Sequence, residues 1–250
     1  MNQASVGFHC PECARKGRQR VYTAASLVTR PYVTYALIAI NVVVYLLDLG
    51  STSNPQTGEQ SLADRGVLFG PLVAEGDWWR PITAGFLHAN LIHIGFNMFL
   101  LFQLGTLLEP ALNRISYATL YFTALLGGSF LVLVLDPNEA TLGASGAVFG
   151  LMGAAFIGLR ARGIDPFSTG IGSLIILNLV FTFAIPNISI GGHIGGLVAG
   201  AAGGWLLFEA APQIEQGRQK GTGIVVATGL CAMLGVALFA GCLYVASNPI

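Results

Sequence analysis

Gly143-Ala144-Ser145-Gly146-Ala147-Val148-Phe149-Gly150 and Gly191-Gly192-His193-Ile194-Gly195-Gly196 decide how this chain is read. Each stretch opens an apolar segment. The first sets a serine among small residues, the second a histidine among glycines. A serine and a histidine at matching positions of two membrane helices point to a hydrolase that works inside a bilayer.

Composition speaks for the membrane. Of 250 residues, 54% are hydrophobic and only 10% charged, against about a quarter charged in soluble domains. The mean hydropathy is +0.68. The formal net charge is zero, so the overall balance calls for no nucleic-acid partner. The 33 glycines follow no collagen period; in membrane helices they allow close backbone approach. Four cysteines form no disulfide framework: Cys10 and Cys13 lie in a polar N-terminus, Cys231 and Cys242 in the last apolar segment. Residues 1–30 lack the apolar stretch of a signal peptide.

About 20 apolar residues cross a bilayer as a helix. Seven candidate spans are expected, at 32–49, 84–108, 115–135, 143–159, 170–186, 190–208 and 222–246. The fourth and fifth carry the weakest signal because they are short and glycine-rich. Arg15, Lys16, Arg18, Arg20 and Arg30 precede the first span; Arg114, Arg160, Arg162, Arg218 and Lys220 follow even-numbered spans. The opposite loops hold Asp64, Glu75, Asp77, Asp136 and Glu139, alongside Arg65 and Arg80. By the positive-inside rule the N-terminus is cytoplasmic and the C-terminus outside. Residues 50–83 contain Leu68, Phe69, Leu72, Val73, Trp78 and Trp79. That loop is expected to lie in the membrane interface.

Polar side chains inside the spans are few: His88, His93 and Asn97 in the second, Ser145 in the fourth, His193 in the sixth. No acid lies well inside; Asp48, Glu109, Asp136 and Glu209 stand at span ends. Buried polar groups are costly in a membrane and mark function. His93 and Asn97, four apart, share one helix face. With the charge-derived orientation, His93, Asn97, Ser145 and His193 all fall in the outer half of the bilayer. Gly146 and Gly150, and Gly192, Gly196, Gly200 and Gly204, form small-residue faces through which the fourth and sixth spans can pack. Ser145 then serves as nucleophile and His193 as its base. Without an intramembrane acid the pair is a dyad. Oxyanion donors are sought in Asn97, the His93 ring and the Ser145 backbone N–H.

These residues together resemble the rhomboid intramembrane serine proteases over about residues 31–209. The resemblance maps Ser145 to the family's nucleophile, His193 to its histidine, and His88, His93 and Asn97 to its His-x4-His-x3-Asn pattern. Trp79-Arg80 corresponds to its loop motif and Glu109 to its acid after the second helix. Gly146 and Gly196 support the site. Phe149 stands where many members have a tyrosine packed on the histidine. The resemblance implies an all-α polytopic bundle: a tail at 1–30, a six-helix core at 31–209, and a linker with a seventh transmembrane helix at 210–250. It implies cleavage of transmembrane protein substrates near the outer face of a bacterial plasma membrane, among membrane lipids, with lateral substrate entry and no cofactor. Phe8-His9-Cys10-Pro11-Glu12-Cys13 resembles half of a zinc module found ahead of some bacterial members. His9, Cys10 and Cys13 give at most three ligands where structural zinc takes four, so free thiols are expected and no metal site.

Three other readings compete. A non-proteolytic rhomboid-like membrane-protein binder predicts loss of Ser145 or His193, and both are present. A metal or haem protein would use His88, His93 and His193. Spaced five apart, His88 and His93 would face different sides of a straight helix, with no acidic or thiolate ligand beside them. A transporter would carry intramembrane charges.

Overall fold

The computed structural model describes residues 30–53, 59–186 and 188–248, and the backbone of Asn2–Gln3 and Phe8–His9. The chain divides into two units, 1–30 and 31–250. In the first, β1 (Asn2–Gln3) pairs antiparallel with β2 (Phe8–His9). Cys10, Cys13 and the His9 side chain lie outside the described residues.

The second unit is a helical bundle. Its long helices are α1 (Tyr32–Leu49), α5 (Leu91–Leu112), α6 (Arg114–Leu135) and α11 (Thr222–Ser247). A fifth long run starts with α9 (Ile190–Trp205), passes through a π-helical turn at Leu206–Ala210 and ends in α10 (Ala211–Glu215). All five are long and apolar enough to cross a membrane. The remaining two apolar helices, α7 (Ser145–Ala161) and α8 (Ile171–Ala184), are shorter. At 1.5 Å per residue the 17 residues of α7 span roughly 25 Å, less than the roughly 30 Å hydrocarbon core. A helix of that length cannot bridge the hydrocarbon alone, so adjoining non-helical chain has to complete a crossing.

Non-helical backbone at that depth has to be buried in protein or border water. Here it is tied down. Thr141 and Leu68 exchange backbone hydrogen bonds of 2.9 Å each, and Gly143 N–H donates to the Ala84 carbonyl at 2.9 Å.

Helices α6, α7 and α9 form the centre. Gly196 lies on the Gly146 carbonyl, Gly200 on the Gly150 backbone and Gly204 on Ala154; a methyl at Gly200 would collide with main-chain atoms that cannot move aside. Gly127 of α6 meets Ala199 in the same way. Tyr117, Leu120, Tyr121, Leu151 and Met152 fill the layer between.

The second span departs from its expected range of 84–108. Ala84–Phe86 is a 3-10 turn, Leu87 is extended, and α5 begins only at Leu91. The reason is Asn90: its side-chain oxygen accepts from His93 N–H at 2.9 Å, capping the helix there. His88 is thus in a loop, and a helix-face argument does not apply to it. Glu109, on the far half of α5, caps another helix. Its buried carboxylate accepts from Val33 and Thr34 N–H at 2.9 Å each and from the Thr34 hydroxyl at 2.8 Å. A negative charge at the N-terminus of α1 suits the helix dipole.

Residues 59–83 fold into short helices α2 (Leu62–Gly66), α3 (Gly70–Ala74) and α4 (Arg80–Thr83). Arg80 is buried at their centre. It bonds Asp77 Oδ2 at 2.8 Å and the carbonyls of Asp64 and Val67 at 3.0 and 2.9 Å. Trp79 Nε1 donates to the Arg65 carbonyl at 3.1 Å. Ser61 and Asp64 form a capping box on α2. Hydrogen bonds from Ser53, and then from Ser61, hold the Asp64 carboxyl below its ordinary pKa.

Candidate active site

Ser145 is the first residue of α7, and among the described residues no side chain caps that helix. Helices α5 and α9 are capped by Asn90 and Ser189. The leading N–H groups of α7 therefore stay available at the positive end of the helix dipole. The Gly143 backbone has φ +128°, a conformation that favours glycine. A side chain there would also stand 2.8 Å from His93 Nε2 and 3.7 Å from Ser145 Oγ. Glycine leaves that space open, bordered by the serine hydroxyl and the His93 ring.

His193 approaches from α9. Its ring stacks on Phe149 with centroids 4.0 Å apart and planes 17° from parallel. Phe149 is four residues after Ser145, so both lie on one face of α7. The histidine thus sits over the face that carries the serine. Among the described residues no hydrogen bond joins Ser145 Oγ to His193. His193 Nδ1 instead pairs with Thr182 Oγ1 of α8 at 2.7 Å, with both side chains buried.

The second span supplies the rest. The His88 and His93 rings meet edge to face at 5.1 Å. Ala144 N–H faces His88 Nε2, and Ala89 N–H faces His93 Nδ1, each at a long 3.5 Å. Asn97 Nδ2 donates to the His93 carbonyl at 2.9 Å, which leaves its second N–H free. Beside Ser145 lies a cavity of about 30 Å³ bordered by Gly146, Gly192, Ser129, Thr141 and Ser189, room for about two waters. Trp79, Arg80 and Glu109 do not line it; Arg80 organises the preceding loop. Glu109, 16 residues beyond His93, lies roughly 24 Å further along α5.

Thr182 is the residue sequence reasoning missed. The signal was faint: Asn178 and Thr182, four apart, form a polar edge on an otherwise apolar helix.

Fold and site together define a multi-pass helical membrane protein with a serine and a histidine at the ends of two packed helices. The Rhomboid domain model matches residues 75–210, and the chain belongs to the rhomboid family. It is 35% identical over 175 residues to Rhomboid protease GluP of Bacillus subtilis (strain 168), covering 68% of this chain and 34% of that protein. To Rhomboid-like protease 1 of Toxoplasma gondii it is 32% identical over 149 residues, 56% of this chain and 51% of the other. Putative rhomboid protease YdcA of Bacillus subtilis (strain 168) is 32% identical over 150 residues, 58% and 73%. The chain thus spans a third of the first of these relatives and half of the second.

Proposed function

We propose that the protein is an intramembrane serine endopeptidase acting on transmembrane segments of other membrane proteins. The observation that carries the proposal is the His193–Phe149 stack, which sets the histidine on the Ser145 face of α7. The relatives named as proteases support the same reading.

In this reading Ser145 Oγ bonds to the carbonyl carbon of the scissile peptide while its proton passes to His193 Nε2. The C=O electron pair moves onto oxygen. The Ser145 N–H, the uncapped start of α7, Asn97 and the His93 ring stabilise that oxyanion. The C–N bond then breaks, and Nε2 returns its proton to the leaving amine. Water from the cavity beside Ser145 completes hydrolysis by the same exchange with His193. Substrate enters laterally, and the site opens to the outer face of a bacterial plasma membrane, with the N-terminus cytoplasmic. Phe149 keeps the ring that supports His193, so the absent tyrosine hydroxyl is not required.

Cleavage of a single-span model substrate in detergent tests this. Ser145→Ala and His193→Ala should each abolish product while the protein still folds. Cleavage by purified Ser145→Ala would rule the mechanism out.

A further inference from the structure

We infer that Thr182 fixes the tautomer of His193, holding the proton on Nδ1 and leaving Nε2 free to take the serine proton. This rests on the Ser145–His193 reading and supplies the orienting partner which that dyad lacked. Thr182 Oγ1 lies 2.7 Å from His193 Nδ1 and 2.7 Å from the Asn178 carbonyl oxygen. A threonine hydroxyl has one proton, and a carbonyl can only accept. If that proton pointed at Nδ1, two oxygens would face each other at 2.7 Å with no proton between them. The arrangement that places a proton in both contacts has Thr182 donating to Asn178, and Nδ1–H donating to Thr182. Neutral imidazole has one N–H, so Nε2 carries the lone pair. The stack of Phe149 on the ring face cannot choose between the nitrogens.

The choice of a hydroxyl has a physical reason. A carboxylate would orient the ring as well, but it would add a buried charge at membrane depth. Thr182 is 2% exposed and adds none. It acts through His193 and touches no substrate, so it is a positioning residue. Its hydroxyl is itself directed by the i,i+4 contact within α8, so the tautomer is set by the backbone of a helix that carries neither reactive group.

The test uses the intact protein in detergent with 15N-labelled histidine. The His193 signal, assigned by its loss in His193→Ala, should show protonated Nδ1 and bare Nε2. Thr182→Val keeps the shape without the hydroxyl and should move it toward the Nε2–H form. The same change should lower kcat about 10- to 100-fold, less than the roughly 10⁴-fold loss seen when a serine protease's histidine is held in the wrong tautomer. KM should stay within about twofold, and Thr182→Ser should restore the rate. A wild-type Nε2–H signal, or full activity in Thr182→Val, would overturn the inference. An Nδ1–H signal in a wild-type protein that cleaves nothing would leave it standing and refute the protease reading instead.

Discussion

Helices α7 and α9 meet backbone to backbone, whereas α8 beside them faces mostly outward. Along the first contact Gly146, Gly150, Gly196 and Gly200 leave no side chain free to adjust. Of the 14 residues of α8, only Gly172 and Thr182 are buried; Ile176, Val180 and Phe183 are more than half exposed. The difference separates two requirements of one site. The relative position of Ser145 and His193 is fixed by a seam that cannot flex. The proposed orienting partner of His193, Thr182, comes instead from a helix that buries only two residues against the rest of the protein.

The contrast can be attacked from both sides. The largest effect belongs to the chemistry carried on the seam. Ser145→Ala should reduce cleavage by about 10⁶-fold, the order seen when a serine protease loses its nucleophile. Its unfolding temperature should not change. Gly200→Leu attacks the seam itself by driving a side chain into the Gly150 backbone. It should cost upwards of 3 kcal/mol, the upper end for overpacking, and remove folding and activity together in a denaturation series. A folded, active Gly200→Leu would show that the seam yields.

Phe149→Ala should cost about 3 kcal/mol of stability, as for other buried aromatics. It should also lower kcat, because the His193 ring loses its support. Phe149→Tyr should retain kcat. A smaller effect concerns the loop before the bundle. The Asp64 carboxyl sits below its ordinary value of 3.8, so its stabilising bonds to Ser53 and Ser61 are present above that value. They are lost as pH falls through the lowered one. Amide exchange in 59–66 should accelerate there, and Asp64→Asn should remove the pH dependence. The smallest effect is expected on the outward face of α8. Ile176→Ala should change stability by less than about 0.5 kcal/mol, as surface substitutions do.

Much of the arrangement was legible from local chemistry. The positions of α1, α6 and α11 follow from apolar length alone and fall within a residue or so of the expected spans. The glycine intervals around Ser145 and His193 announce close helix approach, because small residues let backbones come that near. What sequence could not show is tertiary. The start of α5 is the exception: Asn90 caps it through a contact only three residues away, a local signal that the sequence does carry. His88 consequently leaves the helix and meets the His93 ring from a loop. Thr182 between Phe181 and Phe183 looks like an ordinary helix residue. Its importance arises only when α9 places His193 Nδ1 within 2.7 Å of it.

The central claim is that Ser145 is a nucleophile activated by His193. Mass-spectrometric mapping of a fluorophosphonate adduct on the detergent-purified protein measures that directly. The label should appear on Ser145, disappear in His193→Ala, and persist in variants confined to the outward face of α8. Labelling of Ser145 that is unchanged in His193→Ala, or an adduct on another residue with cleavage intact, would contradict it.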